Sequence, residues 1–427
     1  MSVALVWFRR DLRLQDNPAL QAALDAGHDV VPVYIHAPHE EGEWAPGAAS
    51  DAWRHRSLAA LDADLRTRGS SLVLRSGDSL PALQLLIAQT GAEAVYWNRK
   101  YEPATQPRDA TIKRMLREQG IDAQSCNGSL LFEPWDIATQ QGQPYKVFTP
   151  YWRNVLSHWR LPAPQAAPEA LAPHAADSLA LDDLELAPTL DWDTGFWEHW
   201  QPGEAGALEA LSVFEDGALR GYREQRDLPD RVGTSRLSPH LHFGEIAPWR
   251  IAHALEGLRS AGTDADIDGY LRQLGWRDFA YHLLHHFPKT PTDNLNPRFD
   301  RFPWATPSEA QLHAWQRGNT GVPIVDAGLR ELWHTGYMHN RVRMIVASYL
   351  CKHLRAHWLH GARWFWDTLV DADLANNTMG WQWVAGTGAD AAPYFRVFNP
   401  VTQAEKFDPQ ARYISCLLYT SDAADEE

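Results

Sequence analysis

Short apolar runs alternate with amphipathic stretches over the first third of the chain: VALVWF at 3–8, VVPVYI at 30–35, SLVLR at 71–75 and AVYW at 94–97. Between them, DAWRHRSLAALDADLRTRG (51–69) and ATQPRDATIKRMLREQG (104–120) carry helical patterning, and each ends in a glycine suited to a helix cap. Strands alternating with helices predict an open, Rossmann-like parallel sheet covered on both faces, an α/β domain over residues 1–130. It has neither G-x-G-x-x-G nor a phosphate loop with its lysine, so no motif supports nucleotide binding there. From about 161 to 193 the chain turns rich in Pro, Ala and acid, which reads as a linker over a surface, within an interdomain stretch spanning 131–202. Beyond residue 203 the pattern is helical almost throughout, as in EAGALEALSVFEDGALRGYREQRD, and predicts an all-α domain over 203–414. No solenoid-like repeat is present.

Composition refines this outline. A chain of 427 residues suits two or three domains. Its 44% hydrophobic and 22% charged residues are ordinary for a globular protein, but 20 Trp is several times the usual share and needs a reason. A net charge of −15 argues against binding nucleic acid by bulk charge and leaves room for a local basic face. Cys126, Cys351 and Cys416 stand far apart in no metal or redox spacing, which fits a reducing compartment. The opening MSVALVWFRR has only a short apolar run with no charged residue ahead of it, unlike a signal peptide, and no stretch approaches the length of a membrane helix. A cytoplasmic monomer is expected, with no membrane partner.

Four stretches carry candidate chemistry. In DADLANNTMGWQW (371–383), Asp373, Asn377 and Trp381 are four apart and share a helical face, with Asp371 one turn ahead. This pattern serves a helix start capped by Asp371 or Asp373 with its tryptophans in the core, a carboxylate pair for a metal, or a polar wall for a ligand. From Tyr337 to Arg363 there are five Lys or Arg, four His and no acid; a phosphate-contacting surface requires that, and a solvated helix face also permits it. GTSRLSPHLHFGEI (233–246) offers hydroxyls and backbone N–H groups ahead of a helix, able to hold a diphosphate or merely to cap. In YLRQLGWRDFAYHLL (270–284), Tyr270, Gln273, Trp276 and Arg277 fall on one helical side, as a base-reading wall or as aromatic packing. The histidines at 240, 242, 282, 285 and 286 lack matching carboxylate or cysteine spacing, and no metal site is expected.

Seven strings, in order, carry a resemblance: VWFRRDLRLQDNPAL (6–20), YKVFTPYWR (145–153), GTSRLSPHLHFGEI, LGWRDF (274–279), TGYMHNRVRM (335–344), DADLANNTMGWQW and TGADAAPYFRVFNPVTQAEKFDP (387–409). From Val3 to about Ile414 the chain resembles the DNA photolyase/cryptochrome family, most closely its bacterial cyclobutane pyrimidine dimer photolyases. The resemblance implies a helical domain holding FAD in a bent conformation, and light-dependent repair of dimers in damaged DNA. By that resemblance Asn377 stands at flavin N5 and favours the reduced cofactor, and Asp371 and Asp373 contact the flavin and its ribitol side. Thr234, Ser235, Arg236, Leu237 and Ser238 hold the diphosphate region, with Tyr222 nearby. Trp381, Trp358 and Trp304 match the family's electron-transfer chain. Trp276 and Trp383 form an aromatic wall for a flipped dimer, Met344 its floor, and Asn340, Arg341, Arg226, Gln403 and Arg277 contact dimer or strand.

Three departures qualify the match. Many dimer photolyases have a glutamate where this chain has Gln273, and glutamine is familiar in (6-4) photolyases and animal cryptochromes, so (6-4) repair and a blue-light receptor stand as alternatives. The Asn-Glu pair of some folate-binding members is missing from NRKYEPATQPRD (98–109), so methenyltetrahydrofolate is the default antenna, with a deazaflavin or no antenna as alternatives. After FDPQARYI, where the family continues with another helix, SCLLYTSDAADEE forms an atypical tail over 415–427, expected to be poorly ordered and to cost stability.

Overall fold

The computed structural model describes residues 2–391, 393 and 396–419. Five parallel strands, β1 (Val3–Phe8), β2 (Asp29–His36), β3 (Val73–Ser76), β4 (Ala92–Asn98) and β5 (Asp122–Cys126), form one sheet in the order β3-β2-β1-β4-β5. The central strand β1 is almost wholly apolar because both of its faces are covered. Helices α1 (Pro18–Asp25), α2 (Ala48–Thr67), α3 (Ser79–Thr90) and α4 (Thr105–Glu118) flank the sheet. Pro32, within β2, lies just before the Val33–His36 segment that pairs with β3, where its missing N–H costs no bond to that strand. The edge strand β5, DAQSC, has too little apolar character to announce itself in the sequence.

The remainder is helical: α5 (Phe148–Ser157), α6 (Glu204–Val213), α7 (Tyr222–Gln225), α8 (Ser238–Phe243), α9 (Pro248–Gly257), α10 (Asp264–His286), α11 (Glu309–Gln316), α12 (Pro323–Thr335), α13 (Asn340–Ser348), α14 (Trp358–Thr368), α15 (Leu374–Ala385), α16 (Pro400–Phe407) and α17 (Arg412–Tyr419). The stretch 131–202 is not linker throughout. Within it α5 buries Phe148, Tyr151, Trp152 and Val155 in the core that also holds Phe279 and Leu283 of α10. The chain runs irregularly before α5, from 131 to 147, and again after Ser157, where short 3-10 turns at Asp182–Leu184 and Asp191–Glu198 break it.

The expectation for the tail is corrected over 415–419. Residues 412–419 form α17, whose Tyr413, Ile414, Leu417 and Leu418 recur at helical spacing and pack into or against the core of the helical half. The Tyr413 hydroxyl donates to Glu331 Oε2 at 2.6 Å. Residues 420–427 lie outside the described residues.

Buried polar groups join the two halves. Arg13, 1% exposed, donates to the carbonyls of Gly244 (2.7 Å), Gly128 (2.7 Å) and Asp16 (2.7 Å). Glu204 accepts from the backbone N–H of Leu14 and Gln15, while Glu245 accepts from Trp53 Nε1 and the N–H of Gly203. A buried guanidinium satisfied by carbonyls, and carboxylates satisfied by amides, fix register between layers because any slip would strand a charge. The FRRDLRL motif therefore works as a hinge pin of the fold.

Candidate active site

The DADLANNTMGWQW stretch places its polar groups in two steps. Asp373 is the N-cap of α15: its Oδ1 accepts from Asn376 N (2.9 Å) and Asn376 Nδ2 (2.8 Å). Its Oδ2 accepts from the Tyr281 hydroxyl and lies 3.5 Å from His242 Nδ1. Burial works against ionisation of this carboxyl, but the contact with His242 and the charges of Arg10 and Arg277 outweigh it and hold its pKa below the usual carboxylate range. Burial also drives the His242 imidazole down, to about 4, so at neutral pH an ionised carboxylate faces a neutral ring.

Asp371 precedes the helix. Its Oδ2 accepts from Ser238 Oγ (2.6 Å) and from Arg343 Nη2 (2.9 Å), whereas its Oδ1 is buried with no partner. Arg343 is itself fixed by a 2.6 Å bond from Nε to the Met338 carbonyl. One further turn along, Asn377 donates from Nδ2 to the Ala362 carbonyl at 2.9 Å, which sets the orientation of its amide. The capping reading of this stretch is met by Asp373, which caps α15.

The GTSRLS segment faces this wall. Ser238 opens α8 and binds Asp371; Ser235 Oγ accepts from the Tyr270 hydroxyl at 2.9 Å. Arg236 adopts φ +53° and lays its guanidinium over the rings of Trp200 and Tyr337, while Leu237 is buried and Thr234 half-buried. Tyr222 is buried edge-on to Tyr270, with the Arg226 guanidinium above its ring.

The helix α10 splits the residues expected on one side. Trp276 is half-buried and stacks on Phe148, with centroids 3.6 Å apart and planes 9° apart. Gln273 Nε2 donates to its own helix at the Gly269 carbonyl (3.1 Å). Arg277 is not on the open side with them: it binds the carbonyls of Ser129 and Leu241 and lies over the Tyr281 ring. Successive helical residues point about 100° apart, so with Trp276 outward Arg277 turns inward, where its charge supports Asp373. Trp383 leans on Phe398 at the edge of the second helical core, and Met379 packs against both cores, joining the margins on which Trp276 and Trp383 stand.

On α13, Asn340 is exposed, Met344 is half-buried, and Arg341 pairs with Asp227 at 2.9 Å. Gln403 of α16 lines the same cavity as Arg341. The acid-free run 337–363 does not form a bare basic face: Asp227, Asp371 and Glu43 reach it from elsewhere to pair with Arg341, Arg343 and Arg363. Trp381 and Trp358 are buried and Trp304 half-buried. Trp358 Nε1 donates to Asn294 Oδ1 (2.9 Å), and the His357 ring lies between Trp304 and Trp358, with centroids 5.2 and 5.4 Å away. A Cβ at Gly361 would fall 2.0 Å from Trp381, so glycine is what lets α14 meet that indole. His240 and His282 are engaged by Glu245, the Pro134 carbonyl and the Tyr145 N–H. Sequence reasoning missed the roles of His242, Tyr281, Arg343 and Asp227 at this site; all four lie inside quoted strings, His242 having been weighed only as a metal ligand, but nothing in sequence shows that Tyr281 and His242 meet Asp373 or that Asp227 meets Arg341.

Residues 4–169 match the family profile described as DNA photolyase, and residues 270–419 the one described as FAD binding domain of DNA photolyase. A deoxyribodipyrimidine photo-lyase of Agrobacterium fabrum is 49% identical over 96% of this chain and 85% of its own length. The chain belongs to the DNA photolyase/cryptochrome family. Among solved structures, a bacterial class III photolyase from Agrobacterium tumefaciens superposes with TM-score 0.94 at 47% identity, covering 98% of this chain and 86% of the other. A cryptochrome of Arabidopsis thaliana, cryptochrome-1, is 37% identical over 96% of this chain and 62% of its own. Within the described residues no helix is long and apolar enough to cross a membrane.

This photolyase-family site fits FAD on its own chemistry. Asp371 Oδ1 is a buried acceptor with no protein donor, which a ligand hydroxyl or N–H would satisfy. Asp373 and Asn377 on the same wall offer an ionised acceptor and an oriented amide.

Proposed function

We propose that this protein repairs cyclobutane pyrimidine dimers in damaged DNA, using bound FAD and blue light. The observation that carries the reading is the group Asp371, Asp373 and Asn377, with one buried acceptor left open, at the start of the helix that also carries Trp383. The chemistry supplied by a bound, reduced flavin is light-driven transfer of one electron to the dimer and its recovery after the ring opens.

The chain's own part is binding, orientation and field. Asp371, fixed by Ser238 and Arg343, and Asp373, kept ionised, would hold the flavin and its ribitol side, and Asn377, kept oriented by Ala362, would favour its reduced form. Thr234 to Ser238 and Tyr222 hold the diphosphate region. Trp381, Trp358 and Trp304 form the route for reducing the cofactor, with His357 packed between the outer two. Trp276 and Trp383 sandwich the flipped lesion above Met344, while Asn340, Arg341, Arg226 and Gln403 meet the strand. The cleft at the ends of β1 and β2, lined by Trp7, Tyr34, His36, Glu41 and Lys100, is the place for an antenna chromophore, methenyltetrahydrofolate or a deazaflavin. A DNA substrate accords with a cytoplasmic monomer.

The test mixes photoreduced protein with oligonucleotides bearing either a cyclobutane dimer or a (6-4) product under blue light. Loss of the cyclobutane lesion alone is the expected result. Loss of the (6-4) product alone assigns the other repair class, which the neutral Gln273 amide favours; loss of neither favours a receptor.

A further inference from the structure

An open cavity of about 470 Å³ is lined by two acids, Glu224 and Asp227, and three cations, Arg341, Arg396 and Lys406, with Gln403 and Phe407 among its other residues. Its cations are held flat: Arg341 lies 4.3 Å over the Phe407 ring, Lys406 5.1 Å over the same ring, and Arg396 5.1 Å over Phe398. Arg341 is also held end-on, its Nη2 2.9 Å from Asp227 Oδ1, with side chains only 17% and 32% exposed. Two buried polar atoms here have no protein partner, Arg341 Nε and Gln403 Oε1. A guanidinium with one face on an aromatic, one end on a carboxylate and one N–H unused is parked rather than finished.

Asp227 is out of place on a surface meant for a polyanion. It neutralises the one arginine of α13 that faces the strand, and it repels any phosphate brought near. Such an acid weakens binding to all DNA, but not equally. A strand whose nucleotide has left the stack carries its phosphate into the cavity, where Arg341, its free Nε and the neighbouring cations can replace the Asp227 bond. An intact duplex offers only an outer phosphate, which must draw Arg341 away from Phe407 and Asp227 together.

We propose that Asp227 is a specificity-determining residue: it holds Arg341 at the cavity wall so that only a strand with an extruded nucleotide can claim it. Discrimination of this kind comes from an element that opposes the wrong ligand, at some cost to affinity for the right one. The inference rests on the DNA-repair reading above and deepens it.

The test measures equilibrium binding of flavin-loaded protein, in the dark, to a duplex with a cyclobutane dimer and to the same duplex undamaged, across a salt series. Asp227→Asn is expected to tighten binding to undamaged duplex about fivefold, the upper range for a partly exposed ion pair, and to change dimer binding much less, so that the ratio falls. The slope of log K against log salt for undamaged duplex should steepen by about 0.9, one phosphate's worth. In an Arg341→Gln background the gain should vanish. A ratio unchanged by Asp227→Asn, or a gain that survives Arg341→Gln as a bulk-charge effect would, overturns the proposal. Asp227→Ser, judged by the same criteria, replaces the asparagine variant if that one loses its flavin. If the unmodified protein binds both duplexes alike, the DNA-repair reading fails first; if it discriminates and Asp227→Asn discriminates equally, only the role of Asp227 fails.

Discussion

Removing the Asp371 carboxylate should separate the stability of the site from its chemistry. In Asp371→Ala the Arg343 guanidinium keeps its bond to the Met338 carbonyl but loses its carboxylate partner, and Ser238 loses its acceptor. Breaking a buried ion pair from one side costs about 3–5 kcal/mol because the remaining charge is uncompensated. The Arg343 side chain is 22% exposed against 4% for Asp371, so water recovers part of that loss and the low end, about 3 kcal/mol, is expected. Replacing both partners, Asp371→Leu with Arg343→Met, removes the stranded charge, and such swaps are often neutral or stabilising. The double variant should therefore regain most of the lost stability while still failing to retain flavin, since the open Asp371 Oδ1 is gone. Urea unfolding followed in the near ultraviolet gives the first quantity, and flavin retained through gel filtration gives the second. A double variant that holds flavin like the unmodified protein, or an Asp371→Ala variant as stable as it, would refute this assignment.

Three further outcomes follow from particular contacts. Asp278, almost wholly buried, has its carboxyl pushed up to about 7 by burial, against the pull of Arg277 and the Phe132 and Leu131 N–H groups. The folded state thus binds its proton more tightly than the unfolded chain, whose value is about 3.9. Its contribution is fully present below pH 4 and is lost as pH rises through 7, by up to about 4 kcal/mol; Asp278→Asn should flatten the urea midpoint between pH 5 and 8, and an unchanged slope would count against it. Tyr413→Phe removes the α17 hydroxyl from buried Glu331 and should cost about 1–3 kcal/mol in urea; no shift would mean that α17 does not brace α12. Gln273→Glu should raise the rate of dimer repair by about tenfold, the equivalent of one hydrogen bond to a charged group, with little change in dark binding; equal rates across pH 5–8 would remove position 273 from the reaction.

Period and order made much of this protein legible. The first four strands and the helices α2 and α4 follow from apolar runs and helical spacing, and in the Asp373, Asn377, Trp381 series Asp373 is the N-cap, Asn377 donates to the Ala362 carbonyl and Trp381 is a buried indole. Legibility stopped where distant segments decide the outcome. The strand DAQSC is specified by pairing with β4 rather than by its own polarity. Arg277 was grouped with Trp276 by spacing, yet carbonyls from residues 129 and 241 draw it inward. The run 337–363 reads as unopposed because its counterions lie outside it, Asp371 just past its end and Asp227 and Glu43 far back in the chain, and α17 went unread although Tyr413, Ile414, Leu417 and Leu418 form a helical stripe.

The central claim is that the helical half encloses one bent flavin against Asp371, Asp373 and Asn377. The most direct measurement is the amount of FAD released by heat from purified protein, compared with that from Asp371→Ala. The account predicts about one noncovalent FAD per chain in the first and a large loss in the second. A protein purified without flavin that takes up none when FAD is added, or an Asp371→Ala variant that carries FAD undiminished, would contradict it.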